Sequence, residues 1–322
     1  MSAMPAAANG TGSKYDRLIA AAKGVPSVST IVVHPCDESS LRGAIESAEA
    51  GIIKAILVGA VAKIKDVAAK HKLNIAGYEI VDTPSTEAAA AARGVELIHE
   101  GKGEVLMKGS LHTDEIMRAV TAKVGGLRTN RRISHVFIMD VPAYTETVFV
   151  TDAAINIAPD LDGKRDIIQN AVDLYNEVGF GTTPRVAILS AVETVTSKIP
   201  STIEAAALCK MADRKQITGA LLDGPLAFDN AIDMEAARIK GIKSEVAGRA
   251  QILVVPDLES GNMLAKNLAY FAKADSAGIV LGARVPIVLT SRADSARSRM
   301  ASAAVAALHA DARRRKAPIA AA

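Results

Sequence analysis

Residues 28–58 read VSTIVVHPCDESSLRGAIESAEAGIIKAILV, and this stretch contains the pattern that decides the fold. It opens with a β-branched run, Val28–His34, continues with an amphipathic run, Leu41–Ala50, and closes with a second short apolar run, Ala55–Val58. Short β-branched runs that alternate with longer amphipathic ones predict strand, helix and strand in succession. This is the βαβ unit from which parallel sheets are built.

The same alternation covers most of the chain from about Tyr15. Further predicted strands are Tyr78–Val81, Glu104–Met107, His135–Met139, Thr147–Val150, Val186–Leu189, Ile217–Leu222, Ile252–Val255, Gly278–Leu281 and Ile287–Leu289. Further predicted helices are Val61–His71, Thr86–Ile98, Asp114–Lys123, Lys164–Val178, Ile203–Arg214, Met234–Lys240, Met263–Lys273 and Ser295–Leu308. Because no helix separates the strands at 135–139 and 147–150, we expect an antiparallel pair or a crossing between lobes there.

The composition agrees with a two-lobed α/β fold. A chain of 322 residues is more typical of two domains than of one or three. Hydrophobic residues make up 49% of it, but only 3% is aromatic and Trp is absent, so the core must consist of Ala, Val, Ile and Leu. Such a core is typical of mostly parallel sheets covered by helices, and two lobes predict a cleft between them.

Charge, cysteines and hydropathy argue against several classes of protein. The formal net charge is only +3, with basic residues concentrated at 128–132 and 313–316. A nucleic-acid-binding protein would be more basic and more aromatic, so a small anionic ligand is the better expectation. Cys36 and Cys209 have neither disulfide nor zinc spacing, and no window approaches the ~20 apolar residues of a membrane span. We expect a cytoplasmic protein with flexible residues 1–13 and no metal or redox cofactor.

Candidate site residues lie at strand-to-helix junctions, because ligands of open α/β sheets bind beyond the carboxyl ends of the strands. Lys108 and Gly109 follow a predicted strand, and Thr113 is placed to cap the next helix. Gly109 permits a ligand to approach the backbone closely, and Arg118, one turn into the helix, could join Lys108 in binding phosphate oxygens. The alternative is that Lys108 is an ordinary solvated charge at a strand end.

Two further junctions remain open between structural and functional interpretations. Asp223 and Asp229 flank a Gly-Pro turn that either forms a simple scaffold or lines a cleft and orients basic residues. Asn262 and Lys266 lie on one face of a predicted helix, where Asn262 caps the helix or both side chains donate to an anion. Ser201 has the spacing to Glu204 of a capping box, so its structural role is favoured.

The junction at residues 290–295 reads TSRADS and is the sharpest candidate. Ser291 supplies a hydrogen-bond donor, Arg292 an anion-binding group and Asp294 a base, while Asp294 is also a reasonable helix cap. A nucleophilic serine would need a partnered histidine, and no histidine lies near it in sequence. Covalent catalysis through Ser291 is therefore disfavoured.

Several of these segments together resemble the phosphate acetyltransferase and phosphate butyryltransferase family. The resemblance extends from about Tyr15 to Leu308, and the matching segments occur in the family's order. They are Leu106–Gly109, Asp152–Asn156, Asp223–Asn230, Val254–Asn262 and Pro286–Asp294. The chain is most similar to the transferase half of bifunctional enoyl-CoA hydratase/phosphate acetyltransferase proteins.

This resemblance implies a fold and a reaction. It implies two α/β lobes similar to those of isocitrate and isopropylmalate dehydrogenases, the first at residues 1–142 and 279–322 and the second at 143–278. It further implies a homodimer that converts acyl-CoA and inorganic phosphate to acyl phosphate and free CoA through a ternary complex, with acetyl or butyryl as the acyl group. Ser291 and Arg292 match the family's catalytic pair, and Arg118 matches an arginine near phosphate or CoA.

The chain departs from the acetyl branch of the family at two places. Ala153 stands where that branch has a cysteine, and Ser190–Glu193 is similar to the butyryl branch. Ser298 stands where the acetyl branch has the aspartate that deprotonates the CoA thiol, so Asp294 is the substitute expected here.

Two rival functions remain. The first is a metal-dependent NAD(P) hydroxy-acid dehydrogenase with the same two-lobed architecture. It would need clustered acidic ligands and a nucleotide site, but no GxGxxG motif follows a strand. The second is a CoA-binding protein without turnover, which the Ser291, Arg292 and Asp294 trio argues against. Acyl-CoA, CoA and phosphate are the expected partners, with neither nucleic acid nor membrane.

Overall fold

The computed structural model describes residues 14–181, 183–291 and 294–316. These divide into two compact units. The split unit comprises residues 14–131 and 277–316, and the middle unit comprises residues 132–276. The predicted flexibility of residues 1–13 lies outside the described residues.

Strands and helices alternate through most of the chain, as the sequence predicts. The strands are β1 (Val28–Val33), β2 (Ile53–Gly59), β3 (Glu79–Asp82), β4 (Val105–Lys108), β5 (Ser134–Asp140), β6 (Val148–Thr151), β7 (Arg185–Leu189), β8 (Leu221–Leu226), β9 (Ile252–Val254), β10 (Asp275–Leu281) and β11 (Ile287–Val288). The helices are α1 (Lys14–Lys23), α2 (Glu38–Glu49), α3 (Val61–Lys70), α4 (Glu87–His99), α5 (Thr113–Thr121), α6 (Leu161–Val178), α7 (Pro200–Asp213), α8 (Phe228–Ile232), α9 (Met234–Ile239), α10 (Leu258–Tyr270) and α11 (Ala296–Lys316).

The sheet of the split unit has the strand order β3-β2-β1-β4-β11-β10. Its pairs are parallel except β10 with β11, which is antiparallel. β1 lies between β2 and β4, and five of its six residues are buried. A strand covered on both faces favours apolar β-branched residues, which accounts for Val28 and for the run Ile31–Val33.

The middle unit contains strands in the order β5-β6-β9-β7-β8. β5 and β6 are antiparallel, and the other pairs are parallel. Of the two alternatives for residues 135–150, the antiparallel pair is therefore the one observed. The predicted α/β class with mostly parallel strands is confirmed.

The helix α11 is buried on nearly all sides because its inward residues are small. Its residues 301–308 are Ala, Ser, Val and Leu, and each is buried. It packs against α1 and α2 within the split unit. Helices with small side chains approach closely, which explains the Ala-rich sequence of this segment.

Several predicted strand and helix boundaries differ from the observed ones by a few residues. β8 begins at Leu221 instead of Ile217 and includes Asp223, so Asp223 is not in a loop after the strand. α10 begins at Leu258 instead of Met263, because Asp257 accepts a hydrogen bond from the Ser260 N–H and caps it. The Asp257 cap is a local signal that the prediction missed, whereas the bounds of β8 depend on its pairing with β7.

Two predicted helix caps are also wrong. α5 begins at Thr113 itself, so its N-cap is His112, which makes no side-chain capping bond. α7 begins at Pro200, with Ile199 as its N-cap, because proline suits the first helical position. Ser201 is thereby inside the helix, and its hydroxyl lies 2.9 Å from that of Ser190. Within the described residues, no helix is both long and apolar enough to cross a membrane.

Candidate active site

The candidate site of the split unit lies where three neighbouring strands end. β1 pairs in parallel with β4, and β4 pairs in parallel with β11, so their carboxyl ends meet at one edge. The segments that leave this edge are His34–Asp37 after β1, Gly109–Ser110 after β4 and Thr290–Ser291 after β11. This edge is the ordinary ligand position of an open α/β sheet.

Gly109 brings the segment after β4 against the end of β1. Its N–H donates to the carbonyl oxygen of Val33 at 2.8 Å, and the Ser110 N–H donates to that of His34 at 2.9 Å. A Cβ atom at position 109 would lie 2.4 Å from the Val33 oxygen. The glycine is therefore required by contact with protein backbone, and its role in admitting a ligand stays a prediction.

Lys108 is not a solvated strand-end charge, because its side chain is only 2% exposed. The Nζ atom donates to the carbonyl oxygens of Thr290 at 3.3 Å and Gly109 at 3.5 Å. A buried ammonium needs such acceptors, since the effective penalty for burying an ion is several kcal/mol. Lys108 thus places a cation directly beneath the segment that follows β11.

The segment after β11 is a tight turn closed by Asp294. Its carboxylate Oδ2 accepts a 2.7 Å hydrogen bond from the Ser291 N–H, and the Asp294 N–H donates to the Ser291 carbonyl oxygen at 3.1 Å. Ser291 is exposed. The predicted role of Asp294 as helix cap is wrong, because the Ser295 hydroxyl accepts the hydrogen bond from the Ser298 N–H at the start of α11. Arg292 lies outside the described residues.

Arg299, in the first turn of α11, is fully buried beneath the same turn. NH1 donates to the Thr290 hydroxyl at 2.7 Å, and NH2 donates to the Ser291 carbonyl oxygen at 3.0 Å. Nε donates to the hydroxyl of Ser39 at 3.1 Å, and that hydroxyl donates to the Asp294 carbonyl oxygen at 3.1 Å. The guanidinium therefore joins α2 to both ends of the turn.

Burial shifts the pKa values of the charged groups in this cluster. Desolvation raises the pKa of Asp294, although the Ser291 N–H and the charges of Arg299 and Lys108 oppose the shift. Desolvation lowers the pKa of Arg299, and the carboxylates of Asp37 and Asp294 oppose this. A carboxylate with a raised pKa is a stronger base than one in water.

His34 lies at the carboxyl end of β1 in the left-handed region, with φ 54°. Only 6% of it is exposed, and its Nδ1 atom has no hydrogen-bond partner in the described structure. Desolvation lowers its pKa, so the imidazole is held neutral. Burial raises the pKa of the nearby Cys36 to about 11, which makes this thiol a poor nucleophile near neutral pH.

Arg118, the predicted partner of Lys108 in binding phosphate, is an exposed residue. It lies on α5 with 70% of its side chain exposed, and it forms a 2.7 Å ion pair with Glu115 of the same helix. Exposed pairs of this kind are weak, at about 0.3–0.5 kcal/mol, so an anionic ligand could displace Glu115.

The remaining candidates belong to the middle unit. Asp223 is half-buried in β8, where its carboxylate accepts a hydrogen bond from the Gly224 N–H at 2.8 Å. Asn262 lies in the second turn of α10 and donates to the Ala153 carbonyl oxygen at 3.2 Å, so it does not cap this helix. Lys266, one turn later, is exposed. These two therefore share a helix face, as predicted from their spacing.

Asp152, in a segment that supports the family resemblance, has a structural role. Its buried carboxylate accepts hydrogen bonds from the N–H groups of Ala154, Ile155 and Asn156 and from the Asn156 side chain. The segment is thus an internally bonded turn, similar to an anion nest whose anion is supplied by the protein.

The structure brings together Lys108, Gly109, Ser291 and Asp294 among the predicted site residues. Sequence reasoning missed Ser39, His34 and Arg299. The rule of strand carboxyl ends applied to residues 34–37 as well and would have found His34. Arg299 gave a fainter signal, since it is a cation in the first turn of a helix, where cations are disfavoured. Among residues 14–181, 183–291 and 294–316, no group of three or more His, Cys, Asp or Glu could hold a metal ion.

Comparison with known proteins gives a consistent result. Residues 87–307 match the family described as Phosphate acetyl/butaryl transferase. The chain is 71% identical over 309 residues to a phosphate acetyltransferase of Rhizobium meliloti, covering 96% of this chain and 97% of the relative. It is 41% identical over 294 residues to a phosphate butyryltransferase of Clostridium beijerinckii, covering 91% and 97%. A solved branched-chain phosphotransacylase from Enterococcus faecalis V583 is similar with TM-score 0.76 at 28% identity, covering 88% of this chain and 99% of that one.

Proposed function

The chain belongs to the phosphate acetyl/butaryl transferase family, and on this premise we propose that it transfers an acyl group from coenzyme A to inorganic phosphate. A phosphate oxygen attacks the thioester carbonyl carbon, the carbon–sulfur bond breaks, and acyl phosphate and CoA are released. The observation that carries the proposal is the exposed Ser291 turn held above two buried cations, Lys108 and Arg299.

The physical difficulty of this reaction is the desolvation of a phosphate dianion next to a carbonyl group. Fixed cations offset that desolvation, and arginine forks match the geometry of phosphate oxygens. We assign Arg292 to this task, with Arg118 as an additional phosphate or CoA contact. Lys108 contributes through its charge, because its ammonium lies beneath the turn rather than at the surface.

Ser291 is assigned as the donor to the thioester carbonyl oxygen as negative charge develops there. Both its N–H and its carbonyl oxygen take part in hydrogen bonds within the turn, which supports a fixed position for its exposed side chain. Removing one donor of this type typically raises a barrier by ~3–4 kcal/mol. No covalent acyl-enzyme is formed, and both substrates are bound at once.

Asp294 is assigned as the base that takes the CoA thiol proton in the reverse direction. A thiol of pKa ~8.5 is mostly protonated at neutral pH, so a nearby base accelerates its attack. The raised pKa of Asp294 supports this assignment. Within the middle unit, Asn262, Lys266 and Asp223 are proposed as substrate-binding residues.

Acetyl is the proposed acyl group, and butyryl is the second candidate. The 71% identity to a phosphate acetyltransferase supports the first. The substitution of Ala153 for the acetyl branch's cysteine and the sequence of Ser190–Glu193 favour the second. A homodimer in the cytoplasm is proposed from the family resemblance.

The experiment that tests this function incubates the purified chain with phosphate and a panel of acetyl-, butyryl- and longer acyl-CoA. Free thiol and acyl phosphate are both measured. We expect phosphate-dependent release of both products, with acetyl-CoA the best substrate. Thiol release without acyl phosphate would indicate a hydrolase and would contradict the proposal. Reduction of NAD(P) with a hydroxy acid and divalent metal would favour the dehydrogenase, and CoA binding without turnover would favour a binding protein.

Variants locate the reaction at the turn. Ser291→Ala and Arg292→Ala are expected to lose at least ~100-fold in kcat while remaining folded. Ser85→Ala and Arg17→Ala, which remove exposed side chains of the split unit, serve as matched controls. Full activity of the Ser291 and Arg292 variants would place the chemistry elsewhere.

A further inference from the structure

Arg299 occupies a position that is unfavourable in two respects. It is fully buried, although charged side chains are almost never fully buried unless paired. It also lies in the first turn of α11, where the helix dipole disfavours a cation. A side chain retained against both effects must gain its stability from specific contacts.

Those contacts converge on the turn that follows β11. The three donor groups of the guanidinium each have an acceptor: the Thr290 hydroxyl, the Ser291 carbonyl oxygen and the Ser39 hydroxyl. Ser39 extends this hydrogen-bond network, because its own hydroxyl donates to the Asp294 carbonyl oxygen. The turn is therefore attached to α2 and α11 at both of its ends.

The neighbouring helix is shaped to admit this arginine. A Cβ atom at Gly43 of α2 would lie 2.8 Å from Cδ and 3.0 Å from Cβ of Arg299. The missing side chain at position 43 thus leaves the space that the arginine stem occupies. Asp37, which caps α2, and Asp294 supply the negative charges that attract the guanidinium.

We propose that Arg299 is a positioning residue for acyl transfer, which holds the backbone of Thr290 and Ser291 so that the Ser291 hydroxyl meets the thioester carbonyl oxygen. This inference rests on the proposed function. Because the side chain is fully buried, it acts through the turn and not by touching substrate. A displacement of ~1 Å at a reacting group can lower a rate ~100-fold, which is the scale expected here.

The planar fork of arginine is essential to this role. Three acceptors in different directions are matched by Nε, NH1 and NH2, whereas a lysine presents one charged point and a methionine no donor at all. Lysine at 299 should therefore restore part of the function, and methionine none of it.

The test compares Arg299→Met, Arg299→Lys and wild type in the acetyl-CoA and phosphate assay, together with the thermal midpoint of each. Hydrogen–deuterium exchange of the peptide covering residues 287–298 is measured in parallel. For Arg299→Met we expect a kcat loss of ~100-fold, a KM for acetyl-CoA within about threefold, and faster exchange in this peptide. Arg299→Lys should recover about tenfold of the lost kcat.

Arg314→Met is the matched control. Arg314 lies in the same helix and forms a two-bond pair with Glu104, remote in sequence from the turn. It should lower the thermal midpoint without changing kcat or the exchange of residues 287–298. If Arg299→Met behaves like Arg314→Met, the proposal is overturned.

Two smaller substitutions keep the proposal testable if Arg299→Met does not fold. Thr290→Val and Ser39→Ala each remove one acceptor of the guanidinium, and each should lower kcat about tenfold and accelerate exchange in the 287–298 peptide. Wild-type kcat in both would refute the inference. If the wild type is inactive, only the proposed function is refuted. The effect of Arg299 on the turn can still be measured, because hydrogen–deuterium exchange does not require catalysis.

Discussion

The guanidinium of Arg299 donates a 3.0 Å hydrogen bond to the main-chain carbonyl oxygen of Ser291. Ser291 is exposed, whereas Arg299 is completely buried beneath it. The pair therefore couples a surface residue with a candidate chemical role to the interior of the split unit. Substitutions that alter the packing around Arg299 should change the position of Ser291 without contacting it.

Gly43→Ala tests this coupling from the opposite helix. The added methyl group would lie 2.8 Å from Cδ of Arg299, so the arginine stem must move. We expect a lower kcat together with a fall in the thermal midpoint, because the clash includes the Cβ atom of a fully buried side chain that three hydrogen bonds hold in place. A double-mutant cycle with Arg299→Lys should show strong non-additivity in kcat, and additive effects would contradict the coupling.

Gly109→Ala should destabilise the protein through a backbone clash. Its Cβ atom would lie 2.4 Å from the Val33 carbonyl oxygen and 2.5 Å from that of His34, and neither can move without displacing β1. Overpacking of this kind typically costs ~1–3 kcal/mol or more in the free energy of unfolding, which urea denaturation measures. Gly77→Ala is the control, because nothing lies within 4 Å of its added Cβ atom.

Asp294→Asn should separate catalysis from stability. Burial raises the folded-state pKa of Asp294 above its ordinary value of 3.8, so its ionised form is disfavoured by folding at neutral pH. The neutral variant should therefore gain thermal stability over wild type at pH ~7, and the gain should shrink as the pH falls through the folded-state pKa.

The same variant should lose rate in the reaction of acyl phosphate with CoA. A reverse rate equal to wild type would show that another group takes the thiol proton. A stability difference that is independent of pH would instead contradict the buried-carboxylate interpretation.

His34 should make the free energy of unfolding fall as the pH falls, whereas Asp294 has the opposite effect. Its folded-state pKa is lowered from 6.5 by burial, so below pH ~6.5 the unfolded chain takes up a proton that the folded chain does not. Stability contributed by the neutral imidazole is thus lost as the pH falls from ~7.5 toward the folded-state pKa.

His34→Asn should remove this component, since asparagine does not titrate and tolerates the left-handed backbone at φ 54°. Urea midpoints of variant and wild type, measured at pH ~7.5 and ~5.5, should converge on acidification. Parallel pH dependences would contradict a neutral buried His34.

Much of the fold and part of the site were predictable because their signals are local. The β-branched run of residues 28–33 and the amphipathic run that follows it determine a strand and a helix within a short window. Residues at the ends of such strands are site candidates by position alone, and Lys108, Ser291 and Asp294 were found in this way. The irregular Gly224-Pro225 segment of β8 was missed because its bounds depend on pairing with β7, whereas the start of α7 at Pro200 is a local signal that was not used.

The sequence by itself determined the alternation of strands and helices, the aliphatic composition of the core and the junctions that carry polar groups. Each of these features is encoded within a few neighbouring residues. Only the tertiary structure decided that Ser39 and Arg299, 260 residues apart, bind each other and hold the turn of Ser291 and Asp294. Only it decided that Lys108 is buried rather than solvated. The physical reason is the parallel sheet, whose strand ends meet through hydrogen bonds between segments distant in sequence, so that no local pattern records which polar groups share one edge.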